Sequence, residues 1–240
     1  MAVTVQSGSI ATAAGAMTTI GTPSYRDIAC TIASGSETAL FVIITSGSLF
    51  EDAYWQVPQF NGADMTLITF QPWTLPANSY TAVYIMLAPS VGAGTVRVRE
   101  STNTGRQLVT SCVAFDGVDQ TTPYGTTVSY SNSAASSPIS SSVTVASGGV
   151  ALAGFGTANG GSNIHPAFAA GQTSLQLSTI GAMDGGHSYK ADATAMGFTV
   201  DAGTYQLSQL VVPINPGSGG GGGATSLLPR RAFPRSILNF

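Results

Sequence analysis

Two histidines, His165 and His187, and two cysteines, Cys30 and Cys112, are the side chains of this 240-residue chain best suited to nucleophilic, acid–base or metal chemistry. A hydrolytic triad needs a serine, a histidine and a carboxylate brought together from distant segments. Both histidines fall in Gly-rich polar stretches and read as polar loop residues. No Gly-x-Ser-x-Gly elbow, His-Glu-x-x-His helix, phosphate-binding Gly-x-x-x-x-Gly-Lys loop or Cys-x-x-Cys pair occurs. Asp116-Gly117, Asp184-Gly185 and Asp201-Ala202-Gly203 each set a carboxylate beside a turn-forming glycine. The expectation is an Asx-type turn, with the carboxylate accepting from nearby backbone N–H groups, rather than a catalytic carboxylate pair. The alternating-oxygen pattern of a calcium loop is absent. The two cysteines stand at no metal-ligand spacing and are expected to be small buried apolar residues, a disulfide between them being the alternative. No catalytic residue, cofactor or metal is therefore expected, and the chain reads as a non-enzyme.

Two groups of residues point to binding instead. Tyr54, Trp55 and Trp73 lie near Glu51 and Asp52, and aromatic rings beside carboxylates are what stacks on and hydrogen-bonds a sugar. The competing expectation is that the tryptophans plug the core or an intersubunit contact. The second group follows Pro213 and Pro216. Gly217-Ser218-Gly219-Gly220-Gly221-Gly222-Gly223 has the composition of a flexible spacer, with a root-mean-square span of roughly 15 Å. Beyond it, residues 225–240 (TSLLPRRAFPRSILNF) carry Arg230, Arg231 and Arg235 and no acid. Five basic against eleven acidic residues precede them, so a body of net −6 is tethered to a tail of +3. Leu227, Leu228, Phe233, Ile237 and Phe240 are anchors that need a surface to bury them. The tail is expected to be a docking peptide.

The elements that must position these residues are strands. No segment recurs at helical spacing, whereas short β-rich runs bounded by Gly, Pro, Ser and Asn recur throughout. Thirteen are expected: residues 27–32, 39–45, 54–60, 65–70, 80–87, 95–99, 108–115, 126–130, 142–146, 150–155, 173–177, 196–200 and 205–212. That density implies an all-β antiparallel sandwich of the jelly-roll kind. Asn61-Gly62 is expected to turn a type I′ hairpin. In residues 95–99, Val96 and Val98 should face inward and Arg97 and Arg99 outward. Residues 39–44 are apolar on both faces, so that strand should be covered above and below or capped by a second copy. Residues 131–142 (SNSAASSPISSS) and 156–162 (GTANGGS) read as exposed loops. The resulting division is an N-terminal arm over 1–20, a sandwich body over 21–216, a linker over 217–224 and the tail over 225–240.

Composition excludes further classes. Only 8 % of residues are charged, about a third of the usual share. With 43 % hydrophobic residues, the chain has ample material for a core and is no disordered polyelectrolyte. A single lysine, Lys190, and a net charge of −3 leave no basic stripe for nucleic acid. The longest apolar run, residues 39–44, spans no membrane, and residues 1–17 lack the charged and apolar regions of a secretory signal. Phe240 ends no alternating lipid-facing strand, so membrane insertion is not expected. With 28 Ser and 28 Thr, solubility rests on hydroxyls, the habit of proteins packed against copies of themselves.

Residues 108–125 (LVTSCVAFDGVDQTTPYG) resemble a strand and turn of β-sandwich modules found in bacteriophage virion proteins and bacterial surface proteins. Residues 80–98 are similar to those modules' strand, Pro-containing loop and Gly-Thr-x-x-Val-x-Val strand, and residues 60–68 to their Asn-Gly hairpin; the likeness covers about residues 25–155. Within the motif, Cys112 and Ala114 should point one way and Val113 and Phe115 the other, while Asp119 caps a turn stiffened by Pro123. The resemblance implies a display or attachment role and carries no catalytic set. It implies a virion structural protein: a capsid decoration or head-fibre protein, or a tail-associated one. Such a protein is made in the host cytoplasm and forms a symmetric oligomer that touches other virion proteins such as the major capsid protein. The alternative is a carbohydrate-binding adhesin whose Tyr54, Trp55 and Trp73 contact host surface glycans.

Overall fold

The computed structural model describes residues 1–16, 24–46, 55–72, 80–100, 107–135, 138–158, 166–180, 183–200 and 205–218. These residues hold eighteen strands and no helix, arranged in four antiparallel sheets. One inner sheet contains β1 (Thr4–Val5), β2 (Ala11–Ala16), β4 (Ala39–Ser46), β7 (Thr66–Pro72), β8 (Tyr80–Leu87) and β10 (Gln107–Asp116). Its order is β1-β10-β4-β8-β7, with β2 also on the β1 side of β10. An outer sheet of β3 (Ser24–Ile32), β9 (Gly92–Glu100), β5 (Trp55–Phe60) and β6 (Ala63–Asp64) covers one face of it. On the other face lies the second inner sheet, β11 (Val128–Ala135), β18 (Tyr205–Ile214), β13 (Val150–Ala158), β16 (Met183–Ala191) and β15 (Thr173–Ile180). The last sheet, β12 (Ile139–Ser142), β17 (Ala195–Thr199) and β14 (Ala167–Phe168), closes the stack.

Four layers enclose three apolar seams, and side-chain alternation lets a strand of an inner sheet face two of them. Leu40, Val42 and Ile44 of β4 meet Ile28, Ile32, Val96 and Val98 of the first outer sheet. Ala39, Phe41 and Ile43, on the opposite face of β4, meet Leu152, Leu210 and Val212 of the second inner sheet. Every residue of β4 is buried, as expected of a strand apolar on both faces. Each such large side chain contributes ~1.5–3 kcal/mol of burial free energy. Phe155 faces the third seam, stacked on Phe198 with ring centroids 4.1 Å apart.

The motif of β10 behaves as expected. Cys112 and Ala114 face the first seam, and Val113 and Phe115 the second. Cys30 and Cys112 are both free and buried in the first seam. Asn61 and Gly62 take φ of 49° and 85° between β5 and β6, the left-handed pair of a type I′ turn.

Several expectations are corrected. The Ser-rich stretch 131–142 is no exposed loop: it completes β11 and forms β12, with Ile139 and Ser141 buried. β13 runs on through Ala158, so residues 156–158 are strand, while 159–162 lie outside the described residues. In 142–146 only Ser142 is strand. β16, with the sequence MDGGHSYKA, was expected to be loop and is instead an inner strand between β13 and β15. β1 and β2 add the first sixteen residues to the edge of β10.

Candidate functional site

The segment that carries the chain toward its Gly-rich spacer is fixed at one end of the four-layer stack. Residues 213–217 run beside residues 117–125: Gly125 N donates to Pro213 O (2.9 Å), Asn215 N to Pro123 O (3.0 Å), and Asp119 N to Asn215 O (3.0 Å). Gly217 N then donates to Gly117 O at 2.7 Å, and the Met1 amino group donates to Gly217 O at 2.8 Å. The Gly-Val-Asp-Gln-Thr-Thr-Pro string forms the other side of this clamp. Its Asp119 carboxylate accepts from Thr121 N (2.7 Å), Thr122 N (3.0 Å) and the Thr122 hydroxyl (3.1 Å). The N–H groups of Thr122 and Thr121 hold that carboxyl below the ordinary carboxylate value. The capped turn is therefore a fixture of the clamp as well as a strand connector.

Glu37 stands against this exit point. It has φ of 55°, a left-handed conformation rare for a long side chain, and its carbonyl accepts from Val118 N at 2.9 Å. A Cβ on Gly217 would overlap Glu37 Oε2, so the chain passes directly against this carboxylate. Glu37 Oε2 is itself buried with no hydrogen-bond partner among the described residues. Glu37, Ala88, Val91 and Gln120 line a depression of about 270 Å³, and Leu87, Thr121, Tyr124 and Asp64 line an adjoining one of about 520 Å³. The two depressions draw on the same two segments, residues 85–91 and 120–124, with Leu87–Ala88 and Gln120–Thr121 adjacent in the chain, and are referred to together as one groove. Its exposed apolar side chains are Leu87 (38 %) and Val91 (65 %), and no lysine or arginine lines it.

Asp116 does not make the local Asx turn expected of Asp116-Gly117. It ends β10 and accepts from Thr38 Oγ1 (2.6 Å) and Gln6 Nε2 (2.8 Å), while Gln6 Oε1 accepts from Ala33 N (3.0 Å). Asp184 also departs from expectation: it lies within β16, 1 % exposed, and accepts the hydroxyl of Thr179. Asp201-Ala202-Gly203 lies outside the described residues.

His187 is the largest correction. It is not a loop residue but a fully buried member of β16, wedged between the two inner sheets. Its Nδ1 lies 2.8 Å from Ser111 Oγ and its Nε2 3.0 Å from Thr45 Oγ1, which also meets Thr81 Oγ1 at 3.1 Å. Gly154 makes room for the ring, since a Cβ there would lie 2.7 Å from Thr81 Cγ2 and 3.3 Å from His187 Cδ2. Burial without a charged partner lowers the imidazole pKa to about 3, so the ring is neutral. Ser111 and His187 pair a nucleophile type with a base type, yet both are sealed from solvent and no substrate reaches them. The pair joins sheets. His165 lies outside the described residues, and among the described residues no three His, Cys, Asp or Glu side chains gather as a metal site.

The first outer sheet presents a polar face. Arg97 makes a bidentate pair with Asp27 (2.7 and 2.6 Å) and lies 4.5 Å over the Tyr25 ring; Arg99 reaches Asp64 at 3.4 Å. Of the aromatic residues considered for sugar contact, Trp55 opens β5 with its backbone opposite Glu100, while Tyr54 and Trp73 lie outside the described residues. The structure thus does not bring these three together as a described platform. Leu227, Leu228, Arg230, Arg231, Phe233, Arg235, Ile237 and Phe240 also lie outside the described residues. Glu37 and the groove beside Gly217 escaped the sequence, because the groove is assembled from segments far apart in the chain and no local pattern marks it. The chain matches no protein-family model, no curated protein and no solved structure.

Proposed function

We propose that this chain is a structural protein of a bacteriophage virion, a capsid decoration or head-fibre protein that works as a symmetric oligomer. In this reading the β body is displayed, and the peptide 225–240 buries Leu227, Leu228, Phe233, Ile237 and Phe240 in a neighbouring virion protein such as the major capsid protein. Arg230, Arg231 and Arg235 meet acidic groups there. The observation that carries the reading is the clamp on Gly217: backbone bonds from Gly117 and Met1 fix the point at which the spacer leaves, so the tail departs from one defined pole of a rigid body. A short flexible tether from a fixed point raises the local concentration of its peptide to about the millimolar range, which turns modest contacts into firm attachment. The sealed His187–Ser111 pair and the capped Asp119 turn both have architectural work, which fits display better than turnover.

The test is a chain ending at Ser218, which keeps the whole clamp. Particles assembled with it are expected to lack the protein, while the purified variant keeps the circular dichroism of the full chain. Undiminished incorporation overturns the assignment of the tail. Mass measurement of the full protein is expected to give a closed oligomer; a monomer both free and on particles overturns the symmetric reading.

A further inference from the structure

We infer that the groove running from Glu37 to Asp64 is the resting seat of the chain's own 225–240 peptide, occupied in the free protein and vacated on attachment. This rests on the reading of the tail as a docking peptide and adds where it lies before it docks. Four features of the molecule converge on that occupant. The groove begins where the spacer begins: Glu37, which lines its near end, is the residue that a Cβ on Gly217 would strike. The chain continues for 22 residues beyond Ser218, seven-residue Gly-rich spacer included from Gly217, and the peptide extended at ~3.3 Å per residue covers roughly 50 Å, ample to follow the groove. The groove's acidic side chains are Glu37 at one end and, at the other, Asp64, which already stands 3.4 Å from Arg99, against three arginines and no acid in the peptide. Its exposed apolar side chains, Leu87 and Val91, match a peptide rich in leucine and phenylalanine.

Glu37 Oε2 adds a specific request. A buried carboxylate oxygen with no hydrogen-bond partner among the described residues is costly, and an arginine supplies the planar donor pair that satisfies it. Two of the four described non-glycine residues with positive φ, Glu37 and Ala88, line the same depression.

Docking within one chain is favoured by the tether. A local concentration of about 1 mM against a weak site of ~0.1 mM keeps roughly nine-tenths of the peptides seated. A virion partner then competes for the peptide, which delays attachment until the right neighbour is present.

The experiment uses the full chain with Ala232→Cys carrying a nitroxide; both native cysteines are buried, so the label goes to the tail. Paramagnetic broadening of methyl signals is read against the reduced label. Strong loss of signal at Leu87, Val91 and Met86, with the methyls of the distant third seam unaffected, is the expected result, and Leu87→Glu combined with Glu37→Gln should restore the Val91 and Met86 signals. Uniform weak broadening over the whole surface, or broadening centred elsewhere, overturns the seat. A mixture of isotope-labelled protein and separately spin-labelled protein should show no broadening; broadening there means exchange between copies and overturns docking within one chain. Failure here leaves the particle-incorporation result untouched, and failure of incorporation leaves this spectrum unchanged, so the two readings fall separately.

Discussion

His187 Nδ1 lies 2.8 Å from Ser111 Oγ, and this contact ties β16 of one inner sheet to β10 of the other within a small buried polar cluster that also holds Thr45 and Thr81. Stability should therefore carry the signature of a neutral buried imidazole. The folded pKa is about 3 and the ordinary value 6.5, so the stability is complete above pH 6.5 and declines as pH falls toward 3. The loss is on the order of 1 kcal/mol per pH unit once pH is below 6.5, on the order of 2–3 kcal/mol between pH 7.5 and 4.5. Urea unfolding at pH 7.5 and 4.5 measures it, and His187→Gln should flatten the difference. Asp119, whose carboxyl is held below 3.8, acts only at lower pH and does not blur this window.

Gly154 packs between the imidazole and the facing inner sheet. Gly154→Val should cost at least ~1–3 kcal/mol, because the added carbon atoms meet Thr81 Cγ2 and Ile43 Cγ2, which a tightly paired strand cannot yield. The urea midpoint reports it. An unchanged midpoint would mean that the two inner sheets are not packed at that point.

Asp116 is met by two side-chain donors from other segments, Thr38 and Gln6. Asp116→Ala should lose ~1–3 kcal/mol, because the Thr38 hydroxyl loses its acceptor and Gln6 Nε2 keeps only Ala33 O (3.0 Å) and the long contact to Thr38 Oγ1. Asp116→Asn, which keeps an acceptor oxygen, should recover part of that loss in the same unfolding assay.

Cys30 and Cys112 predict a protected pair of thiols. Burial raises both thiol pKa values, that of Cys112 well above its ordinary value, so little thiolate forms and reagents have no access. Alkylation at pH 8 should be negligible in the native protein and complete in denaturant. Two rapidly alkylated thiols in the native protein would contradict the buried placement.

The Arg97–Asp27 pair tests the opposite regime. Both side chains are substantially exposed, at 45 % and 36 %, so Arg97→Ala should leave the urea midpoint nearly unchanged despite the bidentate geometry. High salt should reduce even that small shift.

The sequence revealed the strands whose own residues decide their place. Apolar side chains at every position from Ala39 to Ile44 demand cover on two sides, and the Val96/Arg97/Val98/Arg99 alternation demands one wet face. The hairpin at Asn61-Gly62 and the cap at Asp119 are local chemistry and were equally legible. What escaped was set by partners. β2 is ATAAGA, without a single branched aliphatic or aromatic residue, and becomes a strand because β10 offers it an edge. β16 has the look of a loop because Gly185-Gly186 and His187 are adapted to neighbours on both faces, which a single chain read in order does not display. The basic and apolar composition of residues 225–240 could be read from the sequence, whereas the groove beside Gly217 could not.

The two-faced burial of β4 has a consequence for how the molecule comes apart. Because one strand supplies a wall to two seams, and β13 does the same for the second and third, no layer can peel away without exposing the wall of the next. Amides of β4 and β13 should therefore exchange with solvent only when everything else has opened, and the two ends of the stack should report a single event. The resistance of the molecule to opening is then that of the whole fold rather than of its weakest sheet.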